Sequence, residues 1–347
     1  MYIIKFFRPH IKILFYFCIY NNFLGKEVSK LGIALGGGGA RGLAHIGVLK
    51  TLEKNKIKIH SITGCSMGAI IGGLYAYYGN IDDVESFIES VLNNPRFKEL
   101  GISKLSESKG ALDKNFLEQL FDFIEVRFKA FKSLSSLSYF EEDEAEEMFG
   151  VIPDVPIENL KLKFSAVATD LISGEEINFT SGSLRTAIRA SSAIPGIFPP
   201  VKYKDYLLVD GYTSETVPAT KLKELGADRV LAVDVMRQLK YSKAPDNIID
   251  LLYRTEDITS YHLALLKLQE ADLVIHPDIK NLSWADFERA GEIIKAGELA
   301  AIENLYEIKN WSTGFLLLYG SLSSCDYLRE PEIFLFESYP AEAHLTD

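Results

Sequence analysis

Cysteine is scarce in this chain, with three residues among 347, at positions 18, 65 and 325. Their wide separation leaves no Cys-x-x-Cys pair, so the sequence excludes a disulfide framework and a cysteine-based zinc site. Scarce and scattered thiols are typical of proteins from a reducing compartment. We therefore predict a cytoplasmic location.

Positive charge is also in short supply: 37 lysines and arginines stand against 48 aspartates and glutamates, a formal net charge of −11. A nucleic-acid partner would require a clustered basic surface that neutralises phosphates, so the composition predicts no such partner. Hydrophobic residues make up 47% of the chain, which is ample for one large α/β domain or two smaller ones. The composition is that of an acidic soluble enzyme.

No apolar run near the N-terminus is long enough to cross a membrane. Residues 13–20 are apolar, but a membrane-spanning helix needs about 20 such residues. No alanine precedes Ala34, so the small-residue cleavage site of a signal peptide is missing. The first thirty residues are nevertheless basic and aromatic. Two interpretations stay open: residues 1–24 form an interfacial anchor in peripheral contact with a membrane, or they are a disordered extension.

Glycine, by contrast, is concentrated between Gly36 and Gly42, directly after the apolar segment Leu31–Leu35. A phosphate-binding P-loop is excluded because no Gly-Lys-Ser/Thr follows. A dinucleotide fingerprint requires an acidic residue at the end of the next strand, and that strand runs into Gly64 instead. What remains is a row of backbone N–H groups at a helix N-terminus, which can stabilise an anionic oxygen.

The pentapeptide Gly64-Cys65-Ser66-Met67-Gly68 fits the pattern Gly-x-Ser-x-Gly between an apolar strand and a helix rich in small residues. This pattern raises a serine on a tight strand-to-helix turn, where it can act as a nucleophile. The two glycines are needed because the turn brings backbone segments too close together for side chains. Beside such a serine, the glycine-rich loop predicts an oxyanion hole for acyl transfer.

A serine nucleophile needs a base, and two kinds of base are open. Asp210 ends the apolar segment 206–209 and is followed by Gly211, so its carboxylate would lie at a sheet edge with space for a substrate. To deprotonate serine, this carboxylate must have its proton affinity raised by burial. None of the six histidines stands in a telling motif, and a structural role suits His45 and His60 better. The alternative is the triad of an α/β-hydrolase, drawn from Ser66, Asp210 or Asp234, and His262 or His276.

Short apolar segments alternate with helical patterns from residue 31 onward, which predicts an α/β fold with a parallel sheet. A helical insert lies at about 80–160, where apolar residues between Phe116 and Phe131 share one helix face and either belong to the core or line an acyl channel or lid. The predicted organisation is an N-terminal extension at 1–30, a catalytic core at 31–235, a further α/β part of the same domain at 236–310, and an unassigned tail at 311–347.

Four ordered motifs resemble those of the patatin-like phospholipases, and most closely those of the stand-alone bacterial members. They are the glycine-rich loop, the serine pentapeptide, the proline-rich segment Ala190–Val201 and Asp210-Gly211. The resemblance covers residues 31–235 well and continues loosely to Asn310. It implies a three-layer α/β/α sandwich with a mainly parallel central sheet.

The resemblance also implies a lipid acyl hydrolase that cleaves fatty-acyl esters, phospholipids among them, in lipid catabolism. Ser66 would be the nucleophile and Asp210 the general base of a dyad, with an acyl-enzyme intermediate and with neither metal nor cofactor. The implied oxyanion hole consists of Gly37, Gly38, Gly39 and Arg41. The other glycines that the motifs require are Gly36, Gly42, Gly64, Gly68 and Gly211.

Tyr212 departs from the family pattern, which carries glycine or alanine after Asp-Gly. A phenol beside the base would either narrow the path of the substrate or hydrogen-bond the carboxylate. It is also the one sequence feature that favours the alternative of a weakly active or non-catalytic regulator with this fold.

Overall fold

The computed structural model describes residues 29–95, 137–236, 239, 244–245, 248–279, 282 and 284–313. All of them belong to one compact unit, Met1–Gly314. Residues 1–28, 96–136 and 314–347 lie outside the described residues. The anchor proposed for residues 1–24 and the apolar helix face between Phe116 and Phe131 therefore stay predictions.

A central sheet of eight strands runs through the described part of the chain. The strands are β1 (Leu31–Leu35), β2 (Ile59–Cys65), β3 (Lys163–Asp170), β4 (Glu176–Phe179), β5 (Val201–Tyr203), β6 (Tyr206–Asp210), β7 (Arg229–Val233) and β8 (Leu273–Ile275). Strands β3, β2, β1, β7 and β8 are parallel neighbours in that order. Strands β4 and β6 both pair antiparallel with β3, and β5 pairs antiparallel with β6. The sheet is thus parallel through its middle and antiparallel at one side.

Helices connect the strands and pack on the sheet. They are α1 (Ala44–Lys54), α2 (Met67–Tyr78), α3 (Ile81–Asn93), α4 (Glu142–Gly150), α5 (Leu184–Ser191), α6 (Thr220–Glu224), α7 (Ile248–Leu268), α8 (Ala290–Glu303) and α9 (Leu305–Thr313). Helices α3 and α4 lie within the described part of the predicted insert at about 80–160, which stays a prediction. Strand β8 extends the sheet beside β7, and α8 packs along α1. None of the described helices combines the length and the apolar composition needed to cross a membrane.

The two faces of the sheet are buried in two separate clusters because successive side chains of a strand point to opposite faces. In β1, Ile33 and Leu35 join the larger cluster, which includes side chains of α1, α2 and α5. Ala34, between them, joins a smaller cluster that holds Leu222 of α6 and Leu268 at the end of α7. Helices therefore cover both faces, and the predicted three-layer α/β/α sandwich is confirmed.

Strand β3 brings the two predicted catalytic residues to the same level of the sheet. Its residue Val167 pairs with Cys65, the last residue of β2, and the next residue, Ala168, pairs with Asp210, the last residue of β6. Because β2 runs parallel to β3 and β6 runs antiparallel to it, the two strands end at adjacent positions. Ser66 follows Cys65 directly, so it emerges next to Asp210.

Candidate active site

Ser66 lies on a tight turn, and the close contacts of the neighbouring residues prevent its backbone from relaxing. Its backbone has φ 53° and ψ −121°, and it caps the N-terminus of α2. A Cβ atom on Gly64 would lie 2.4 Å from the carbonyl oxygen of Gly68, and one on Gly68 would lie 2.1 Å from the carbonyl oxygen of Leu35. Only glycine fits at either position. The positive φ of Ser66 is a strained conformation for a residue with a side chain, and the close contacts on both sides hold it.

The backbone of Ser66 is fixed by the end of helix α5. The N–H of Ser66 donates a hydrogen bond to Oγ of Ser191 over 3.0 Å, and both side chains are buried. Ser191 belongs to the proline-rich segment Ala190–Val201, for which the sequence predicted no role. The structure thus uses this segment to brace the nucleophile.

Asp210 is buried at the end of β6 and carries several hydrogen bonds. Its Oδ1 accepts from the backbone N–H of Tyr212 over 2.9 Å, and the thiol of Cys65 donates to the same oxygen over 3.7 Å. Burial raises the pKa of Asp210 to about 6, against the opposing effect of hydrogen bonds from the Tyr212 backbone and the side chains of Ser66 and Cys65. The carboxyl group is therefore a stronger base than an exposed aspartate and remains mostly ionised at neutral pH.

The glycine-rich loop lies against the elbow, but one of its predicted oxyanion donors is engaged elsewhere. The N–H of Gly37 donates to the carbonyl oxygen of Thr216 over 3.0 Å. This is a correction to the predicted oxyanion hole, because a donor held by a backbone carbonyl is not available to a substrate. Gly38 directly precedes the short 3-10 turn Gly39–Leu43 and Gly39 begins it. The first N–H groups of such a turn have no partner within it. They are the donors that remain.

Arg41 and His45 support this loop from beneath. The buried Arg41 donates from Nε to the carbonyl oxygen of Gly38 over 3.3 Å. The fully buried His45 contacts the carbonyl oxygen of Gly36 through Nε2 over 2.7 Å, and burial lowers the pKa of His45 to about 4. A neutral imidazole can donate from Nε2, so both side chains orient loop carbonyls. The geometry makes Arg41 a holder of the Gly38 peptide.

The histidines of the alternative triad each contact a group other than Ser66. His276 follows β8, and its Nδ1 lies 3.3 Å from Oδ2 of Asp234, which follows β7. This carboxylate is the main reason why the pKa of His276 is raised. His262 lies on α7 with its ring against that of Tyr261. The structure therefore pairs one candidate histidine with one candidate aspartate, while the side chain that acts on the pKa of Asp210 is that of Ser66 itself.

An apolar cavity of about 140 Å³ opens beside Ser66. Helices α3 and α4 and the proline-rich segment form half of its wall, through side chains that include Phe87, Val91, Met148 and Phe198. No charged side chain lines it among the described residues. A cavity of this size and chemistry accepts an apolar group such as part of one acyl chain.

Tyr212 lies on the loop side of the nucleophile and is not among the described residues that line the cavity. Its ring packs on Gly37, where a Cβ atom would lie 3.0 Å from Cδ2 of Tyr212 and 3.3 Å from Cβ of Ser66. The phenol is thus close to the nucleophile. The backbone N–H of Tyr212 donates a hydrogen bond to Asp210, the predicted base.

A buried carboxylate just after Asp210 has no counterpart in the sequence prediction. Glu215 is 1% exposed, accepts a hydrogen bond from Lys267 of α7, and burial raises its pKa to about 7. Lys267 also lies 3.5 Å from Glu176 of β4. The next residue, Thr216, is the one that holds Gly37. Local sequence gives no signal for this cluster, because Lys267 is 52 residues away along the chain.

A metal site was not predicted, and no group of three or more His, Cys, Asp or Glu side chains in the described ranges is arranged to hold an ion. The chemistry available at the site is that of a serine, a buried carboxylate and backbone N–H groups.

Comparison with known proteins gives three findings. The sequence model of the family described as patatin-like phospholipase matches residues 33–223, more than half of the chain. An uncharacterized NTE family protein of Mycobacterium tuberculosis is 32% identical over 211 residues, which cover 61% of this chain and 50% of the relative. Lysophospholipase NTE1 of Meyerozyma guilliermondii is 27% identical over 304 residues, which cover 79% of this chain and 19% of the relative.

The chain thus spans about half the length of the mycobacterial relative and about a fifth of the fungal one. Among solved structures, VipD from Legionella pneumophila aligns with a TM-score of 0.41 at 14% identity, over 81% of this chain and 67% of that one.

Proposed function

The chain belongs to the patatin-like phospholipase family, and from this premise we propose that it is a serine hydrolase that cleaves the fatty-acyl ester of a lipid with one acyl chain. The observation that carries the proposal is that Ser66, which lines an apolar cavity, lies close enough to the buried Asp210 for its side chain to lower the pKa of that carboxyl group. A nucleophile, a base of raised pKa and an apolar pocket in contact are the components that ester hydrolysis requires.

In the proposed first step, the carboxylate of Asp210 accepts the hydroxyl proton of Ser66 as Oγ attacks the carbonyl carbon of the ester. The carbonyl oxygen becomes negatively charged, and the N–H groups of Gly38 and Gly39 stabilise it. The carbon–oxygen bond to the alcohol then breaks, and protonated Asp210 gives its proton to the departing alcohol. The product is an ester between Ser66 and the fatty acid.

In the proposed second step, water replaces the alcohol. Asp210 takes one proton from the water as the oxygen attacks the acyl carbon, and the same backbone N–H groups hold the oxyanion again. The bond to Oγ of Ser66 breaks, Oγ recovers the proton from Asp210, and the fatty acid leaves. The dyad returns to its starting state without a metal or a redox cofactor taking part.

The substrate class follows from the apolar cavity and from a relative. A cavity of about 140 Å³ takes up an apolar group such as part of an acyl chain. The fungal relative is named a lysophospholipase, and a lysophospholipid has one acyl chain. We propose a lysophospholipid as the substrate, reached from a membrane surface by peripheral contact.

The alternative mechanism is a triad with a histidine as the base. The pair His276–Asp234 has the composition of the outer two members of a triad, and a triad would use it to activate Ser66. We favour Asp210 because the Ser66 side chain lies close enough to influence the pKa of its carboxyl group, which burial raises.

Covalent labelling tests nucleophile and activity together. A fluorophosphonate with a long alkyl chain should label the purified chain at Ser66, as mapped by mass spectrometry of the peptides. The Ser66→Ala variant should not be labelled, and Asp210→Asn should be labelled much more slowly than the parent. Absence of labelling in the folded parent, together with no release of fatty acid from a lysophospholipid, would favour a non-catalytic regulator instead.

A further inference from the structure

Backbone hydrogen bonds hold the glycine-rich loop on both sides of the proposed oxyanion donors, Gly38 and Gly39. On one side is the hydrogen bond of Gly37 described above. On the other side, the N–H of Ala40 donates to the carbonyl oxygen of Trp284 over 2.6 Å. The directions of the two N–H groups in between therefore depend on the groups that hold the loop at these two points.

Trp284 also fills the space beside Gly39. A Cβ atom on Gly39 would lie 2.5 Å from the carbonyl oxygen, 3.1 Å from Cβ and 3.2 Å from Cε3 of Trp284. Gly39 has φ 57°, in the left-handed region that favours glycine. Both the backbone and the indole ring of Trp284 thus lie against this glycine, and Trp284 itself is only 4% exposed. A residue in this place limits where the Gly39 peptide can move.

The segment that carries Trp284 leads into helix α8, which is held tightly against α1. A Cβ atom on Gly47 of α1 would lie 1.9 Å from the carbonyl oxygen of Ile294, and one on Gly297 of α8 would lie 1.9 Å from the carbonyl oxygen of Ala44. The two helices therefore touch backbone to backbone. Because α1 directly follows the 3-10 turn of the loop, this packing supports the chain just before α8 where it meets the loop.

Stabilisation of an oxyanion depends on how well its donors are held before the reaction begins. Losing one such donor typically costs about 10²- to 10³-fold in kcat. Gly38 and Gly39 have no side chains that could restrict their own backbone. Their orientation must come from neighbouring residues, and Trp284 both accepts the hydrogen bond of Ala40 and packs against Gly39.

We propose that Trp284 is a positioning residue for the oxyanion hole, which holds Gly39 and Ala40 so that the N–H groups of Gly38 and Gly39 point at the ester oxygen. The inference rests on the proposed function. It adds to the site a residue that lies outside the range 33–223 matched by the family model. Trp284 acts through the backbone of the loop and not on the reacting atoms.

Trp284 also lines the apolar cavity, so its effect on the loop must be separated from an effect on the acyl chain. An acetyl ester has no chain that reaches into the cavity, but its hydrolysis forms the same kind of oxyanion as that of a long-chain ester. Loss of positioning therefore lowers kcat on both esters by the same factor. Loss of a cavity wall affects the long-chain ester alone.

The experiment measures kcat of Trp284→Ala on p-nitrophenyl acetate and on a lysophosphatidylcholine with a long acyl chain. We expect a loss of about tenfold on both, less than the loss of a whole donor. Trp284→Phe keeps an aromatic ring and should retain most of the turnover.

Trp311→Ala is the matched control, because Trp311 is the other tryptophan of the chain. Its ring lies 5.8 Å from the guanidinium of Arg229 and does not line the cavity. This variant should keep parental kcat on both esters.

A double-variant cycle tests whether Trp284 acts through the loop. In Gly38→Val a Cβ atom meets Cγ2 of Val235 at 2.8 Å, which displaces the loop. Once the donors are displaced, adding Trp284→Ala should cost little more, because both changes act on the same groups. If Trp284→Ala does not fold, as judged by circular dichroism, Trp284→Leu keeps apolar bulk without the ring and takes its place in both measurements.

Three results would overturn the inference: parental kcat in a folded Trp284 variant, a loss confined to the long-chain ester, or losses that multiply fully in the cycle. Each of them leaves the parent an active hydrolase. Failure of the proposed function gives a different result, in which the folded parent hydrolyses neither ester and Ser66 resists the fluorophosphonate. That result would end the role of Trp284 as well.

Discussion

The two catalytic candidates come from opposite kinds of sheet. Ser66 follows β2 in the parallel middle, where residues 64–68 themselves create the turn. Asp210 ends β6 on the antiparallel side, and contacts from distant parts of the chain hold it: its N–H donates to the carbonyl oxygen of Ala193 over 2.9 Å. A hydrogen bond of 2.8 Å joins Thr169 and Ser214 just beyond it.

This difference teaches that the nucleophile is a local structure and the base is a long-range one. The turn at Ser66 needs two glycines and a helix start, all within five residues. The segment after Asp210 depends on Glu215 and Lys267, and through Thr216 it also reaches Gly37. The base and the glycine-rich loop are therefore coupled by one stretch of backbone, whereas the elbow takes its turn from residues 64–68 and is braced from outside by Ser191.

The largest effects should come from removing the candidate catalytic group of the parallel part of the sheet or that of its antiparallel side. Ser66→Ala and Asp210→Asn should each lower kcat for lysophospholipid hydrolysis by about 10²- to 10⁴-fold, the range that a general base contributes. The double variant should lose little more, because in the proposed mechanism the two residues act as one unit.

His276→Ala serves as the control for this pair of variants, since it removes the histidine paired with Asp234. Its turnover should stay close to that of the parent. A loss in folded His276→Ala as large as that in Ser66→Ala would replace the dyad by a triad.

Substitutions in the glycine-rich loop should have the next largest effect on kcat. Gly38→Val would push its backbone aside, because a Cβ atom there meets Cγ2 of Val235 at 2.8 Å. Losing one oxyanion donor typically costs about 10²- to 10³-fold in kcat, and we expect a loss of that order. Arg41→Ala should also lower kcat, since Arg41 holds the carbonyl of Gly38.

Gly291→Ala is a suitable control for the loop variants, because no atom lies within 4 Å of a Cβ at that position. It should keep parental turnover. Parental kcat in a folded Gly38→Val protein, judged by circular dichroism, would remove the loop from the mechanism.

The pH dependence of the reaction reports on the antiparallel side of the sheet, where Asp210 lies. The proposed mechanism needs ionised Asp210, and the pKa of this group is about 6, so activity should be present above pH 6 and lost as pH falls through it. At pH 5 only about a tenth of such groups are ionised, which predicts a rate about tenfold below the plateau. The measurement is kcat/KM of the parent between pH 5 and 8.

Glu215→Gln distinguishes the two buried carboxylates in this profile, since the pKa of Glu215 is about 7. We expect the variant to keep a midpoint near pH 6. A midpoint near 7 in the parent that disappears in Glu215→Gln would assign the titration to the long-range cluster.

Tyr212 gives the smallest of the kinetic effects. Its ring packs on Gly37 next to the nucleophile, so it can hinder a bulky substrate at the mouth. Tyr212→Gly should raise the rate on a diacyl lipid by a few-fold and change the rate on a short-chain ester little. The ratio of the two rates is the readout, and an equal loss on both substrates means that the phenol supports the site.

The sequence predicted those parts of the site that depend on local backbone chemistry. The elbow at Ser66 follows from its glycines, and Asp210 follows from its place at the end of an apolar strand together with the family resemblance. The layers of the fold follow from alternating strands and helices. In each case the residues that decide the structure are neighbours along the chain.

What the sequence missed depends on residues that meet only after folding. Nothing near Gly37 indicates that Thr216 would engage its N–H, and nothing near Glu215 indicates Lys267. Ser191 stood within a recognised motif, yet its hydrogen bond to the backbone of Ser66 depends on where Ser66 lies in the fold. Such contacts between distant segments have no local pattern from which to infer them.

The positive φ of Ser66 has a consequence for any search for stabilised variants. A side chain at φ 53° and ψ −121° costs of order 1–3 kcal/mol, and glycine adopts this conformation without that cost. Ser66→Gly should therefore unfold at a higher temperature than Ser66→Ala, and above the parent if lost hydrogen bonding at Asp210 does not offset the gain. A library selected only for resistance to heat would accumulate this substitution. Such a screen must count turnover as well, or it will enrich proteins that have discarded their nucleophile.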